Sequence, residues 1–282
     1  MFTNWIFLAA LSGICSNIFN FSNRFFLKDK DDPIAYAWFY EAFQFLVYAV
    51  FAIVFDWKII FNLHSILLLL ALGITEFISV YWYMKMHAYS HLSISTIISR
   101  TRLIWIPLIG LFLLSEHLRI MDYLGFAILF IGLSVVVAPH KFFVDKGAKY
   151  ANLSAFMIAL NTVILKIAVP FGSGSVLMMG MTLPSVILFP LLMKKAKKRL
   201  FISGQKNFLL KIAAISTHIV SAYLFIFALR HGEVSKVNAI YQGMMITSVI
   251  GGIVFLGEKK DIGKKLLGSI VTIVGVILLT SF

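Results

Sequence analysis

A chain of 282 residues that is 60% hydrophobic and 13% charged, with a mean hydropathy of +0.93, is too apolar for a soluble globule, in which roughly a quarter of residues are charged. The formal net charge of +13 does not point to nucleic acid. Its Lys and Arg residues sit in short connections between apolar runs, where lipid headgroups and the orientation rules of membrane insertion account for them. The lone Cys15 excludes an internal disulfide and a cysteine-built metal site.

In chain order, the first apolar run covers 4–21. It has no basic n-region and no small-residue cleavage site, so it reads as a retained helix rather than a removed signal. The charged stretch 24–33 ends it. Further runs follow at 34–55, 66–86, 92–115 and 121–138, and a loop at 139–149 then interrupts them. The series resumes at 151–169, 176–193, 208–229, 234–256 and 263–281, with the basic stretch 194–199 after the seventh. Each approaches the roughly 20 residues that a spanning helix needs. The expected architecture is an all-α polytopic membrane protein with ten transmembrane helices. Its parts are a five-helix unit at 1–140, an inter-repeat loop at 141–149 and a second five-helix unit at 150–282.

The second unit repeats the first. Shifting residues 75–116 by 142 positions superposes Thr75 on Thr217, Ser79 on Ser221, Tyr81 on Tyr223, Ser93 on Ser235, Gly110 on Gly252 and Glu116 on Glu258. One inserted residue moves the register to 143, after which Gly125 matches Gly268 and Gly132 matches Gly275. Chance likeness among apolar helices does not pair Glu with Glu and Tyr with Tyr in one register. An odd number of helices per unit makes the second enter the membrane from the opposite side, which predicts an inverted repeat with a site between the copies. Glu116 and Glu258 lie at helix ends, where an acid either caps the following helix or is a solvated loop charge.

The residues Leu92-Ser93-Ile94-Ser95, then Pro107, then Leu114-Ser115-Glu116, Gly125 and Gly132 form one pattern. It returns as Val234-Ser235-Lys236-Val237, Leu256-Gly257-Glu258, Gly268 and Gly275. The two copies also open alike, with Ser16-Asn17 followed by Arg24 and Leu160-Asn161 followed by Lys166. In this pattern the chain resembles the EamA-type branch of the drug/metabolite transporter superfamily. The resemblance covers nearly the whole chain. It implies a ten-helix bundle whose third, fourth, eighth and ninth helices surround a central cavity, helped by the first and sixth. It implies no particular substrate, because the superfamily carries amino acids, sugars, nucleotide sugars, drugs and lipid-linked precursors. Val249 stands where a proline matching Pro107 is expected, so helices four and nine are not expected to bend alike.

Ionisable residues inside spanning helices are costly and mark pathways. Those that stand out in or beside the runs are Glu41, Glu76, Lys85, His87, Arg100, Arg102, Lys166, Lys211 and His218. Lys85, His87 and Lys211 lie near enough to helix ends to snorkel. Glu76 and His218 occupy equivalent repeat positions, and both residue types exchange protons when their surroundings shift them. Their alternative role is to hold helices together. Arg100, paired with Gln242 by the repeat, presents a planar fork suited to a carboxylate or phosphate. An ion pair of Arg100 with Glu41, or of Arg102 with Glu76, is the structural alternative. Tyr81 and Tyr223, with Trp105 and Tyr241, fit an apolar pocket with polar tips. Asn161 either binds substrate or bonds across helices. The expected substrate-binding set is Glu76, Tyr81, Arg100, Trp105, Asn161, His218, Tyr223 and Gln242.

No Gly-rich phosphate loop, His-Glu-x-x-His or nucleophile elbow is present, so the chain reads as a non-enzyme without catalytic residues, metal or cofactor. The connections after the first, fifth, seventh and ninth runs hold most of the Lys and Arg. The opposite connections hold Lys58, Arg119, Arg230 and Lys236. The positive-inside rule therefore places the basic connections in the cytoplasm and the termini outside, against the cytoplasmic termini expected of the family. The functional expectation is a secondary active transporter of a small polar metabolite, an amino acid or similar zwitterion, working by alternating access in the cell (inner) membrane. Its partners are a small-molecule substrate, protons as the candidate coupling ion, and membrane lipids. The alternatives are a flippase for a lipid-linked sugar or phosphate, and a non-transporting membrane enzyme or receptor.

Overall fold

A computed structural model describes residues 4–28, 32–89, 101–116, 118–136, 146–244, 247 and 262–281. Over these residues the chain forms helices α1 (Trp5–Lys28), α2 (Pro33–Phe55), α3 (Leu63–Tyr89), α4 (Arg102–Leu114), α5 (Ile120–Val136) and α6 (Lys146–Ala168). It continues with α7 (Gly174–Leu191), α8 (Ala196–Gln205), α9 (Phe208–His231), α10 (Val234–Gly243) and α11 (Ile262–Ser281). Five segments are long and apolar enough to cross a membrane: Pro33–Phe55, Leu63–Met86, Lys149–Phe171, Gly174–Leu191 and Phe208–His231. Four shorter apolar segments accompany them, Trp5–Asn20, Arg102–Leu114, Ile120–Gly132 and Leu267–Leu279. The expected ninth run is described at Val234–Gly243, and 92–100 of the fourth lies outside the described residues.

Local chemistry fixes the helix ends. Asp32 caps α2 by accepting from the N–H groups of Ile34 and Ala35 at 3.1 and 3.2 Å, with Pro33 supplying a helical φ at the first position. Ser173 caps α7 by accepting from Val176 N–H at 3.4 Å. Helix α8 is not among the expected elements, since its basic sequence reads as a loop. Lys195 and Asn207, both at positive φ, break the chain on either side of it. The buried Lys211 ammonium then donates to Ser203 O at 2.6 Å, placing a cation against the last carbonyls of the helix. Lys211 is therefore buried under α8 rather than snorkelling to an interface. Lys85 is likewise engaged, donating to Tyr81 Oη and lying 4.3 Å from the centre of that ring.

In lipid the hydrophobic effect does not bring helices together; close approach of small residues and polar ties does. The main packing pairs are α5 with α11, α3 with α6, α1 with α9, and α2 with α7. Exchanging the two halves turns the α3–α6 pair into the α1–α9 pair. The polar ties follow. Ser12 Oγ donates to Ser221 O at 2.7 Å, and Ser154 Oγ donates to Ser79 O at 3.3 Å. Ser154 and Ser79 stand in the same 142-residue register to Ser12 and Ser221.

The α5–α11 contact is equally reciprocal. A Cβ on Gly132 would lie 2.5 Å from Thr272 N, and one on Gly275 would lie 2.7 Å from Leu129 N. Rising numbers on one helix meet falling numbers on the other, so the pair is antiparallel. The same holds for α2 and α7. Asp32 at the start of α2 binds Arg199 in α8, which follows α7, and Ser173 at the start of α7 donates to Asp56 O, which ends α2, at 2.6 Å.

Candidate functional site

Two polar layers lie between the helices. The first is acidic. Glu41 on α2 is fully buried, and neither carboxylate oxygen has a hydrogen-bond partner among the described residues. Its charged neighbour is Glu76 on α3, close enough to repel it electrostatically. Ser79 Oγ, one turn on, bonds the Glu76 carbonyl at 2.9 Å and reaches Oε2 at 3.4 Å. The Tyr40 ring feels both carboxylates. It stacks on Phe19 at 5.1 Å and lies 5.3 Å from the imidazole of His218, which itself sits 4.5 Å from Phe19. His218 Nδ1 has no partner among the described residues. The repeat-matched Glu76 and His218 thus border one cluster, linked through Tyr40, with Glu41 beside Glu76.

The second layer is basic. Arg102 on α4 lies within electrostatic reach of Tyr83 and Tyr241. Tyr83 Oη donates to Asn20 Oδ1 at 2.6 Å, and Tyr241 Oη bonds Ser16 Oγ. Tyr83 is seven residues beyond Glu76, so the two share a face of α3 about two turns, or roughly 10 Å, apart. The helices that bear these side chains are α1, α2, α3, α4, α9 and α10.

The other expected site residues distribute differently. Arg100 lies outside the described residues. Trp105 is half-buried and packs edge-on against Phe156 at 5.3 Å. Asn161 gives its amide N–H groups to Leu72 O at 3.0 Å and Thr75 Oγ1 at 2.9 Å, a tie between α6 and α3. Gln242 is buried with Nε2 unpartnered among the described residues. Tyr81 and Tyr223 do not come together. Tyr81 sits with Trp82 and Lys85 near the start of α6, where Trp82 stacks on Tyr150 at 5.2 Å. Tyr223 bonds Ser175 Oγ at 2.8 Å at the start of α7. Helix α6 runs across the bundle before α7 begins, so the two tyrosines mark opposite ends. Five residues along a helix also turn a side chain well away from its starting face, which separates each tyrosine from Glu76 or His218.

Repeat matching passes over Glu41, because the residue 142 positions on is Leu183. Its signal in the sequence was simpler: a carboxylate in the middle of an apolar run. Glu116 also departs from expectation. It caps α10 of the other half rather than the helix that follows it, with Oε1 accepting from Val234 N–H at 2.7 Å and Oε2 from Ser235 Oγ at 2.6 Å. Among the described residues no group of three His, Cys, Asp or Glu side chains is arranged to hold a metal ion.

A family model described as the EamA-like transporter family matches residues 3–138 and again 145–281. A solved crystal structure of a protein superposes with a TM-score of 0.74 at 13% identity, covering 99% of this chain and 96% of that one. At that identity the likeness shows the fold alone. No curated protein matches the sequence.

Proposed function

The chain belongs to the EamA-like transporter family and is a multi-pass membrane transporter of the drug/metabolite type; from that premise we propose that it is a secondary active carrier of a small zwitterion, such as an amino acid, working by alternating access. The observation that carries this reading is the pairing of an acidic layer, Glu41 and Glu76, with the guanidinium of Arg102 on α4, whose neighbour Tyr83 lies two turns beyond Glu76 on α3. The acidic layer suits an ammonium group. The planar guanidinium suits a carboxylate. The aromatic rings of Phe19, Tyr40, Tyr83 and Tyr241 supply apolar walls with polar tips.

Ten spans in two inverted five-helix repeats, 1–140 and 150–282 about a loop at 141–149, give such a site two alternate openings. The reciprocal serine ties and the antiparallel packing of α2 on α7 and α5 on α11 support that arrangement. Glu76 and His218, with Gln242 from the expected set, complete the lining in this reading. The inward gradient of protons is the proposed driving force.

The test is uptake by proteoliposomes of a radiolabelled amino-acid panel under an imposed pH gradient. Arg102→Lys should raise KM for carboxylate-bearing substrates by about tenfold or more, because a point charge loses the two-pronged contact. His218→Gln and Glu76→Gln should abolish the response to the pH gradient and spare substrate-for-substrate exchange. Unchanged pH-driven flux in both variants would sink proton coupling.

A further inference from the structure

We propose that Glu41 is a proton-binding site of this protein, and that Glu41 and Glu76 together hold a single proton in the closed bundle. Its use in transport rests on the carrier reading above; the site itself does not. Buried polar groups in folded proteins almost always have a hydrogen-bond partner, and each exception calls for an explanation. Glu41 is such an exception, a carboxyl group with no exposed surface whose two oxygens are unpartnered among the described residues.

Among the described residues, the charged and titratable groups around Glu41 do not neutralise it. On its own helix are Tyr40 and Tyr48. Helix α3 offers Glu76, a like charge. Helix α9 offers His218, whose ring packs on Phe19 and Tyr40, and Lys211, whose ammonium is directed at Ser203 beneath α8. Helix α7 carries no ionisable side chain. From α8, Arg199 is bound to Asp32 at the far end of α2. Two carboxylates in one enclosed, apolar setting cannot both stay ionised, so one proton stays with the pair. Ser79 already bonds Glu76, which stabilises the charge on that partner. Glu41, whose oxygens accept no hydrogen bond among the described residues, is the member that keeps the proton.

The chemistry is a simple exchange. When the bundle opens and water reaches α2, the O–H bond of Glu41 breaks and the proton passes to water on that side. Once the bundle has switched to face the other side, the carboxylate takes a proton from water there and the O–H bond is restored. The same residue thereby carries one proton per cycle.

Infrared spectroscopy of the full chain in lipid vesicles tests the site without a substrate. The wild-type protein should show the C=O stretch of a protonated, buried carboxylic acid at neutral pH. That band should vanish in Glu41→Gln and persist in Glu76→Gln. Glu41→Asp, which keeps an acid if Glu41→Gln fails to fold, should shift the band. A band that is missing from the wild-type protein, unchanged in Glu41→Gln, or unmoved in Glu41→Asp overturns the proposal. If the band behaves as expected while the wild-type protein moves none of the amino-acid panel, the carrier reading fails and the proton site stands. If amino acids are transported and the band is absent, the proton site fails and the carrier reading stands.

Discussion

Glu41 and Asn161 show how differently two buried polar residues in apolar helices can behave. Both are costly to take out of water, yet Asn161 recovers that cost by tying α6 to α3 through Leu72 O and Thr75 Oγ1, and Glu41 makes no hydrogen bond with the described residues. Asn161 is an expected substrate ligand whose donors are already committed. Asn161→Ala should therefore lower stability by about 1 kcal/mol, the sum of two interhelical bonds in a membrane, and leave KM for transported substrates within about twofold. The measurement is a pair: the unfolding midpoint in mixed micelles, and uptake kinetics in vesicles. A large rise in KM with unchanged stability would make Asn161 a substrate contact instead. The sequence distinguishes neither outcome, since a buried Asn on a helix face reads the same in both roles.

At the scale of the element, the start of α2 is joined to α8 by the ion pair of Asp32 with Arg199. Burial raises the Asp32 carboxyl, but the hydrogen bond from Arg199, the N–H groups of Ala35 and Ile34, and the guanidinium charge outweigh it and hold the group below the usual carboxylate range. The hydrogen bond with Asp32 raises the Arg199 guanidinium in turn. Arg199 Nη2 donates to Asp32 Oδ1 at 2.8 Å. Because the folded Asp32 is the stronger acid, its contribution to stability is complete above the ordinary carboxylate range and is lost as pH falls through its lowered folded value. Both side chains are partly solvated, so the pair contributes under about 1 kcal/mol after screening. Asp32→Asn keeps a capping oxygen and removes the charge. Its stability deficit relative to the wild-type protein should be present at neutral pH and shrink as pH is lowered past the carboxylate range, in thermal melts at matched ionic strength. A deficit that is constant with pH would show that the charge contributes nothing. Helix α8 itself was illegible in the sequence because ten residues with three Lys and Arg among them and three more Lys beside them have no apolar periodicity to announce them; its ends are set by two residues at positive φ and by a lysine from α9.

At the scale of the whole molecule, the repeat predicts symmetric proximity. In a Cys15→Ser background, Ser12→Cys with Ser221→Cys and Ser79→Cys with Ser154→Cys should both form cross-links readily on mild oxidation, read as a mobility shift on non-reducing gels. Cross-linking of one pair without the other would break the two-fold relation between α1–α9 and α3–α6. Orientation gives a separate test. Single cysteines at Lys194 or Lys198, in the same Cys15→Ser background, should resist an impermeant thiol reagent in intact cells, as the positive-inside rule requires. Ready labelling from outside would put the basic connections on the external face and restore the family expectation of cytoplasmic termini.

The sequence by itself determined the solvent and the plan. Apolar runs of spanning length dictate helices in lipid, because a backbone there must satisfy its own hydrogen bonds, and the 142-residue register declared two copies of one unit. It also marked Glu41, Glu76 and His218 as groups that apolar helices do not carry without cause. Only the tertiary structure decided which of them meet. Repeat symmetry relates positions without saying that they touch, and so it paired Tyr81 with Tyr223, which lie at opposite ends. It also missed Glu41, whose repeat mate is Leu183. Contact depends on how α2 packs against α7 and how far each side chain is turned about its own helix. Those angles arise from side-chain packing between segments distant in the chain, which no local pattern encodes.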